Sequence, residues 1–133
     1  MGLAPYGEPK YLDQMEKIHN GCHCYINCSH SEGVGMGAVE AAMRDKPIII
    51  TDYGGLKEYV KTPYVIKCER GPCGITDFLF THDLNWGHPN LQHLVSHMKD
   101  CYERGAITMD HSHTRKLIEK VPSDLQLLPS TEV

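Results

Sequence analysis

Two glutamates and a glycine-rich turn are the residues whose types and spacing could do chemistry. Glu32 and Glu40 are separated by seven residues, and Gly33, Val34 and Gly35 lie between them at the predicted start of a helix. Unpaired N–H groups and the helix dipole at such a start favour an anion, and glycines let a phosphate approach the backbone closely. The pattern therefore predicts a phosphate-bearing ligand at this turn.

Glu40 lies in the second turn of the helix predicted from Met36 to Arg44. Helical side chains lean toward the helix N-terminus, so its carboxylate would reach the anion-binding end. A carboxylate cannot bind phosphate, but it can accept hydrogen bonds from the two hydroxyls of a ribose. Glu32 would then face the other side of the phosphates, where a sugar would lie. The alternative for Glu40 is a weak surface ion pair with Arg44, four residues later.

The elements around these residues alternate between strands and helices. This alternation predicts an α/β fold, a Rossmann-like parallel sheet with flanking helices. Because ligands bind beyond the carboxyl ends of parallel strands, a second glycine turn at Gly54 and Gly55 belongs to the same edge of the sheet. The predicted elements are helices over residues 10–20, 36–44, 56–60, 89–102 and 114–121, and strands over residues 23–28, 47–51 and 64–67.

The second half of the chain is less regular. Residues 68–88 are rich in Gly, Pro and His, and their structure stays open. Residues 1–122 are predicted to form one domain, and residues 123–133 a flexible C-terminal tail. The helix that begins near Pro89 is expected to bury one apolar face, formed by Leu91, Leu94, Val95, Met98, Cys101 and Tyr102.

Cysteines and histidines offer two metal-site alternatives. His93 and His97 have the spacing of a metal-binding pair but fall opposite the predicted apolar face, where solvent exposure is the simpler reading. A second group lacks the paired spacing of structural zinc sites, and strand alternation would place its cysteines on one core face. We expect no metal and reduced cysteines. The second group is Cys22, Cys24, Cys28 and His30.

Composition limits the partners. The 133 residues carry 13 Lys and Arg against 17 Asp and Glu, a net charge of −4, which argues against nucleic acid as a partner. The longest apolar run, residues 48–50, is far too short for a transmembrane segment. The N-terminal residues show no signal-peptide pattern, so a cytoplasmic location is expected.

Two segments, residues 32–43 and 46–58, resemble the donor-binding half of glycosyltransferase family 4. The signature of that family is two glutamates separated by seven residues, followed by a strand and a Gly-Gly-x-x-Glu turn, here residues 54–58. Trp86 and the helix after it are also similar, and the resemblance covers roughly residues 10–104. It implies the C-terminal half of a two-domain GT-B fold, which performs retaining, metal-independent transfer of a sugar from a UDP- or GDP-linked donor to an acceptor.

The resemblance also implies roles by position. Glu32 would be the catalytic residue that contacts the donor sugar, and Glu40 would bind the ribose hydroxyls. Gly54 and Gly55 would lie near the donor pocket, with Glu58 as a further contact. No cofactor beyond the nucleotide-sugar substrate is implied, because the helix N-terminus and basic groups stabilise the charge. The backbone of Gly33, Val34, Gly35 and Met36 would hold the diphosphate.

The chain departs from the family pattern in several places. Val34 stands where the family has a bulky aromatic residue, and Asp45 stands where it has glycine. An acceptor domain and the opening strands of the donor domain, with their phosphate-binding Arg and Lys, are not among these 133 residues. Lys67 and Arg70, after the third strand, are the alternative cations. Two further readings stay open: a non-catalytic nucleotide-sugar-binding or assembly module, and a sheet completed by a partner chain or second copy.

Overall fold

The computed structural model describes residues 2–3, 5, 7–105 and 109–120. The predicted tail, the predicted domain boundary at residue 122 and the end of the last predicted helix lie outside the described residues. The helices are α1 (Pro9–Gly21), α2 (Met36–Ala42), α3 (Leu56–Tyr59), α4 (Leu91–Glu103) and α5 (Ser112–Glu119), and the strands are β1 (Tyr25–Asn27), β2 (Ile48–Thr51), β3 (Val65–Ile66), β4 (Cys68–Pro72) and β5 (Asn85–Pro89).

A parallel sheet with the strand order β1-β2-β3 forms the centre and confirms the predicted α/β fold class. Ile26 of β1 lies opposite Ile49, and Ile50 lies opposite Val65 of β3. Every residue of β2 is buried, because the middle strand of a parallel sheet is covered on both faces. The parallel register places the loops that follow β1 and β2 at the same edge of the sheet.

Helices cover both faces of this sheet. On one face, α2 and α3 pack onto Ile48 and Ile50 of β2. On the other face, Ile49 and Ile66 pack with Cys101 of α4 and with Met109. The sheet therefore contributes to two hydrophobic clusters, which fix the position of the loops at its carboxyl edge.

The region from residue 68 to residue 89 forms an antiparallel hairpin of β4 and β5, a structure that the sequence left open. Trp86 of β5 stacks on His30, with 5.2 Å between ring centroids. The Nδ1–H of His30 donates to the carbonyl oxygen of Gly87 at 3.0 Å, and the Gly87 N–H donates to the His30 oxygen at 3.0 Å. These contacts tie the hairpin to the loop that follows β1.

The first helix exposes part of its apolar residues, and the first strand is shorter than predicted. Leu12 and Ile18 are 65% and 53% exposed, and the buried residue of α1 is His19. β1 spans three residues instead of the predicted six. The helical spacing of apolar residues in α1 therefore marks a face turned mostly to solvent. All six cysteines are free thiols.

The orientation predicted for α4 is confirmed for Leu94 and Cys101, which pack against the sheet, and is wrong for the other four apolar residues and for the two histidines. His93 and His97 face β3: the Lys67 N–H donates to His93 Nδ1 at 3.0 Å, and His97 Nε2–H donates to the Val65 oxygen at 3.1 Å. Polar side chains are needed there, because a two-residue edge strand leaves backbone groups without sheet partners. The residues exposed instead form what we call the α4 stripe: Leu91, Val95, Met98 and Tyr102.

The start of α4 also differs from the prediction. Pro89 is the last residue of β5, and the helix is capped by Asn90, whose side chain accepts the His93 N–H at 2.9 Å. An asparagine at this position satisfies one of the N–H groups that a helix start leaves unpaired.

The open edge of the sheet lies beside the α4 stripe. β1 has a strand neighbour on one side only among the described residues. A half-open, mainly apolar pocket of about 380 Å³ lies between this edge and α4, with Ile26, Met98 and Tyr102 in its wall. Within the described residues, no helix combines the length and the hydropathy that a membrane-spanning segment needs.

Candidate functional site

The two glycine turns meet at the carboxyl edge of the sheet. The N–H of Gly55 donates to the backbone oxygen of Glu32 at 2.9 Å. Gly54 has a φ of +82°, and a Cβ at this position would lie 2.7 Å from the same oxygen. The close approach of the two loops therefore requires glycine at position 54, and it fixes the backbone of Glu32.

The N-terminus of α2 opens at this junction. Gly35 caps the helix with a left-handed φ of +70° and no side-chain hydrogen bond. Its carbonyl oxygen accepts the N–H groups of Ala38 and Val39, at 3.0 and 3.2 Å. The N–H groups of Met36 and Gly37 precede the first intrahelical donor, so they are available to a ligand.

Glu40 extends from α2 toward α1 and makes a contact that the sequence did not reveal. Its Oε2 accepts a hydrogen bond from Nε2 of His19 at 3.2 Å. The predicted alternative, an ion pair with Arg44, is wrong, because Arg44 donates to the backbone oxygen of Glu40 at 3.0 Å. The Glu40 side chain is 43% exposed, so its carboxylate remains accessible beside a buried imidazole.

The hydroxyl of Tyr25 in β1 is affected by the charges of both glutamates. Burial raises the pKa of the Tyr25 hydroxyl, and the negative charges of Glu32 and Glu40 raise it further. The ring stacks on His19 with 5.9 Å between centroids. A Cβ at position 37 would lie within 3.0 Å of Tyr25 Cζ, so glycine in the first turn of α2 leaves room for this ring.

His19 and Tyr25 are the site residues that sequence reasoning missed. Tyr25 carried a usable signal, because it is the aromatic residue of the strand that leads into the glycine turn. His19 carried none, since nothing in its sequence surroundings distinguishes a buried histidine from an exposed one near the end of a helix.

The other residues predicted to contact the nucleotide-sugar lie in α3 and beside Gly35. Glu58 is exposed in the first turn of α3; its N–H donates to the Gly55 oxygen at 2.9 Å, and its carbonyl accepts from His113 Nε2 at 2.7 Å. These backbone contacts join Glu58 to the second glycine turn and to α5, and not to Glu32 or Glu40. Val34 and Met36, which flank Gly35, are 37% and 60% exposed.

Arg70, one of the two candidate cations, has an aromatic partner. The Arg70 guanidinium lies 5.7 Å from the centroid of the Tyr53 ring, in a cation–π arrangement on the turn that follows β2. Lys57 pairs with Asp52 on the same turn. Lys67 is exposed, and its backbone N–H is bound by His93.

Neither metal-site alternative is assembled in the described part of the chain, where no group of three or more His, Cys, Asp or Glu side chains could hold a metal ion. Cys22 donates to the His19 oxygen at the end of α1, whereas His30 lies against Trp86. His93 and His97 are 4.2 Å apart between ring centroids, but each contacts the backbone at β3.

Comparison with known proteins gives a match to a family model over part of the chain. Residues 7–68 match the family model described as glycosyl transferases group 1. A search of curated proteins and a search of solved structures returned no match. The matched stretch runs from the start of α1 to the beginning of β4, and it contains Glu32, Glu40 and both glycine turns. The chain therefore carries a stretch similar to group 1 glycosyl transferases, which supports glycosyltransferase activity in general.

Proposed function

We propose that this chain is the donor-binding module of a retaining glycosyltransferase of the family 4 type, with a nucleotide-sugar as its substrate. The observation that carries the proposal is the placement of Glu32 and Glu40 on either side of the N-terminus of α2, the first on the loop at the carboxyl edge of the sheet and the second one turn into the helix. Glu32 is joined to the second glycine turn, and both glutamates raise the pKa of Tyr25. The family match over residues 7–68 agrees with this assignment.

The N-terminus of α2 would hold the diphosphate. The N–H groups of Met36 and Gly37 and the left-handed turn at Gly35 form an uncapped helix start, where a negative charge is stabilised by the helix dipole. Gly33 and Val34 would complete the backbone cradle. Because the net charge of the chain is −4, phosphate affinity would come from these local dipoles and not from a general positive field.

The two glutamates would take different parts of the donor. Glu40 would accept hydrogen bonds from the ribose hydroxyls, since its carboxylate is exposed one turn beyond the phosphate-binding N–H groups. Glu32, on the loop before the helix, would contact the transferred sugar and act at its reacting carbon. Gly54 and Gly55 hold the backbone of Glu32, so they would position this contact. The helix start would take the charge-stabilising role that a metal has in other transferases.

Isothermal titration tests the proposal. We expect UDP- or GDP-linked sugars to bind the wild-type chain, and Glu40→Ala to weaken binding by at least roughly 10- to 100-fold, because losing even one charge-assisted hydrogen bond costs about 1.5–3 kcal/mol. Glu103→Ala is the matched control, because this glutamate lies at the exposed end of α4. Absence of binding by folded wild-type protein to both donor classes would contradict the proposal.

The second candidate is a non-catalytic module that binds nucleotide-sugar or assembles with another chain. The open edge of β1 and the exposed α4 stripe favour it, because an unpaired strand and an apolar surface promote association. In that case a partner chain or a second copy would complete the sheet. Light scattering is the test: a stable complex supports this candidate, and a monomer at all concentrations contradicts it.

A further inference from the structure

His19 is a buried polar residue on a helix that exposes its aliphatic residues. It is 3% exposed, whereas Leu12 and Ile18 of the same helix are more than half exposed. Burial of an imidazole costs free energy unless its nitrogens are hydrogen-bonded. The side-chain partner of His19 is the carboxylate of Glu40, at 3.2 Å. The contact between α1 and α2 therefore has a polar centre.

The geometry of this contact constrains Glu40. A carboxylate accepts only, so Nε2 of His19 must carry the proton and donate to Oε2. Arg44, the other candidate partner, is engaged with the backbone oxygen of Glu40. Stacking against Tyr25 fixes the plane of the His19 ring. Oε2 of Glu40 is therefore held by a buried imidazole, in a side chain that is 43% exposed and can still meet a ligand.

We propose that His19 is a positioning residue, which orients the Glu40 carboxylate toward the vicinal hydroxyls of the nucleotide's ribose. This inference rests on the function proposed above. A glutamate side chain that is not held loses rotamer freedom when it binds a ligand, and this loss weakens binding. Because His19 orients the carboxylate before the ligand binds, this loss is avoided. The contribution of His19 to nucleotide affinity therefore depends on the ribose hydroxyls and not on the phosphates.

The experiment compares two nucleotides with three proteins by titration calorimetry. The nucleotides are UDP, or GDP where wild type prefers it, and the 2′,3′-dideoxy form of the same diphosphate. His19→Phe keeps a ring against Tyr25 but removes the donor, and His19→Gln restores an amide donor near the position of Nε2. We expect His19→Phe to weaken binding of the ribonucleotide about tenfold and to leave binding of the dideoxy form unchanged. We expect His19→Gln to recover binding to within about threefold of wild type.

A purely structural role for His19 predicts a different result. In that case His19→Phe weakens the binding of both nucleotides equally or of neither, and His19→Gln does not selectively restore binding of the ribonucleotide. Any of these results overturns the inference. If circular dichroism shows that His19→Phe is unfolded, His19→Asn replaces it, because its shorter amide falls short of Glu40, and the same expectations apply. In the Glu40→Ala background, loss of His19 should change ribonucleotide affinity less than twofold.

The two proposals fail in different ways. If wild type binds neither UDP nor GDP, the proposed function fails and this inference fails with it. If wild type binds and Glu40→Ala weakens binding, but His19→Phe and His19→Asn do not, the inference alone is overturned.

Discussion

Substitution of Gly54 by alanine should separate the two loops that form the site. The added Cβ would lie 2.7 Å from the backbone oxygen of Glu32, whereas ordinary contacts begin near 3.4 Å. The atom it meets belongs to the backbone, so the whole loop must move by several tenths of an ångström. The same oxygen accepts the Gly55 N–H, and that hydrogen bond would lengthen or break.

The chain contains a matched control for this substitution. Gly74 has a φ of +74°, close to the +82° of Gly54, but a Cβ there meets nothing within 4 Å. Gly74→Ala should therefore lower the free energy of unfolding by about 1–2 kcal/mol, because alanine is less stable than glycine in the left-handed backbone conformation. Gly54→Ala should lower the free energy of unfolding by a further amount of about 1.5–4.5 kcal/mol, from overpacking of about 1–3 kcal/mol and a lost hydrogen bond of about 0.5–1.5 kcal/mol.

Urea unfolding followed by fluorescence measures this difference. The chain has one tryptophan, Trp86, and it stacks on His30 in the loop that leads to Glu32. A difference below about 0.5 kcal/mol between the two alanine variants would refute the close approach of the loops, because overpacking against backbone costs more than that.

Three further substitutions or measurements test particular contacts. Thr114→Val should lower the free energy of unfolding by about 1–2 kcal/mol in urea titration, because Thr114 Oγ1 donates to the Tyr59 oxygen at 2.6 Å and both are away from the ligand site; no change would contradict the buried hydrogen bond. Burial, with the neighbouring Cys101 adding to it, raises the pKa of the Cys24 thiol to about 12. Native Cys24 should therefore react with iodoacetamide at pH 8 roughly 1,000-fold more slowly than a free thiol with a pKa near 8.5, as peptide mass spectrometry can follow, and an equal rate would contradict its burial. His30→Ala should shift Trp86 emission to longer wavelength, since the ring stacked on Trp86 and the hydrogen bond to Gly87 are both lost; unchanged emission would contradict that stack.

The features that could be predicted from the sequence are local ones. The apolar residues Ile48 to Ile50 are consecutive and lead directly into a glycine turn, so their neighbours in sequence are sufficient to indicate a buried parallel strand. The helix start at Gly35 is indicated in the same way, by small residues followed by helix formers. Asp45, shortly after the end of α2, adopts a left-handed φ of 55°, a conformation that glycine or a short polar side chain favours.

The features that could not be predicted depend on residues far apart in the chain. His19 and Glu40 are 21 residues apart, and nothing in the spacing of either marks the other as its partner. The orientation of α4 involves backbone groups of Val65 and Lys67, which contact His97 and His93 from a distant part of the sequence. Helical periodicity locates an apolar face but does not say whether the sheet or the solvent lies opposite it.

The measurement that tests the central claim most directly is a two-dimensional ¹H–¹⁵N NMR titration with UDP and with GDP. The claim is that the N-terminus of α2 binds the diphosphate through backbone N–H groups. It predicts that the largest amide shifts occur at Gly35, Met36 and Gly37, and that they saturate as the nucleotide is added. Shifts confined to residues around the apolar pocket, such as Met98 and Tyr102, or no saturable shift with either nucleotide, would contradict it.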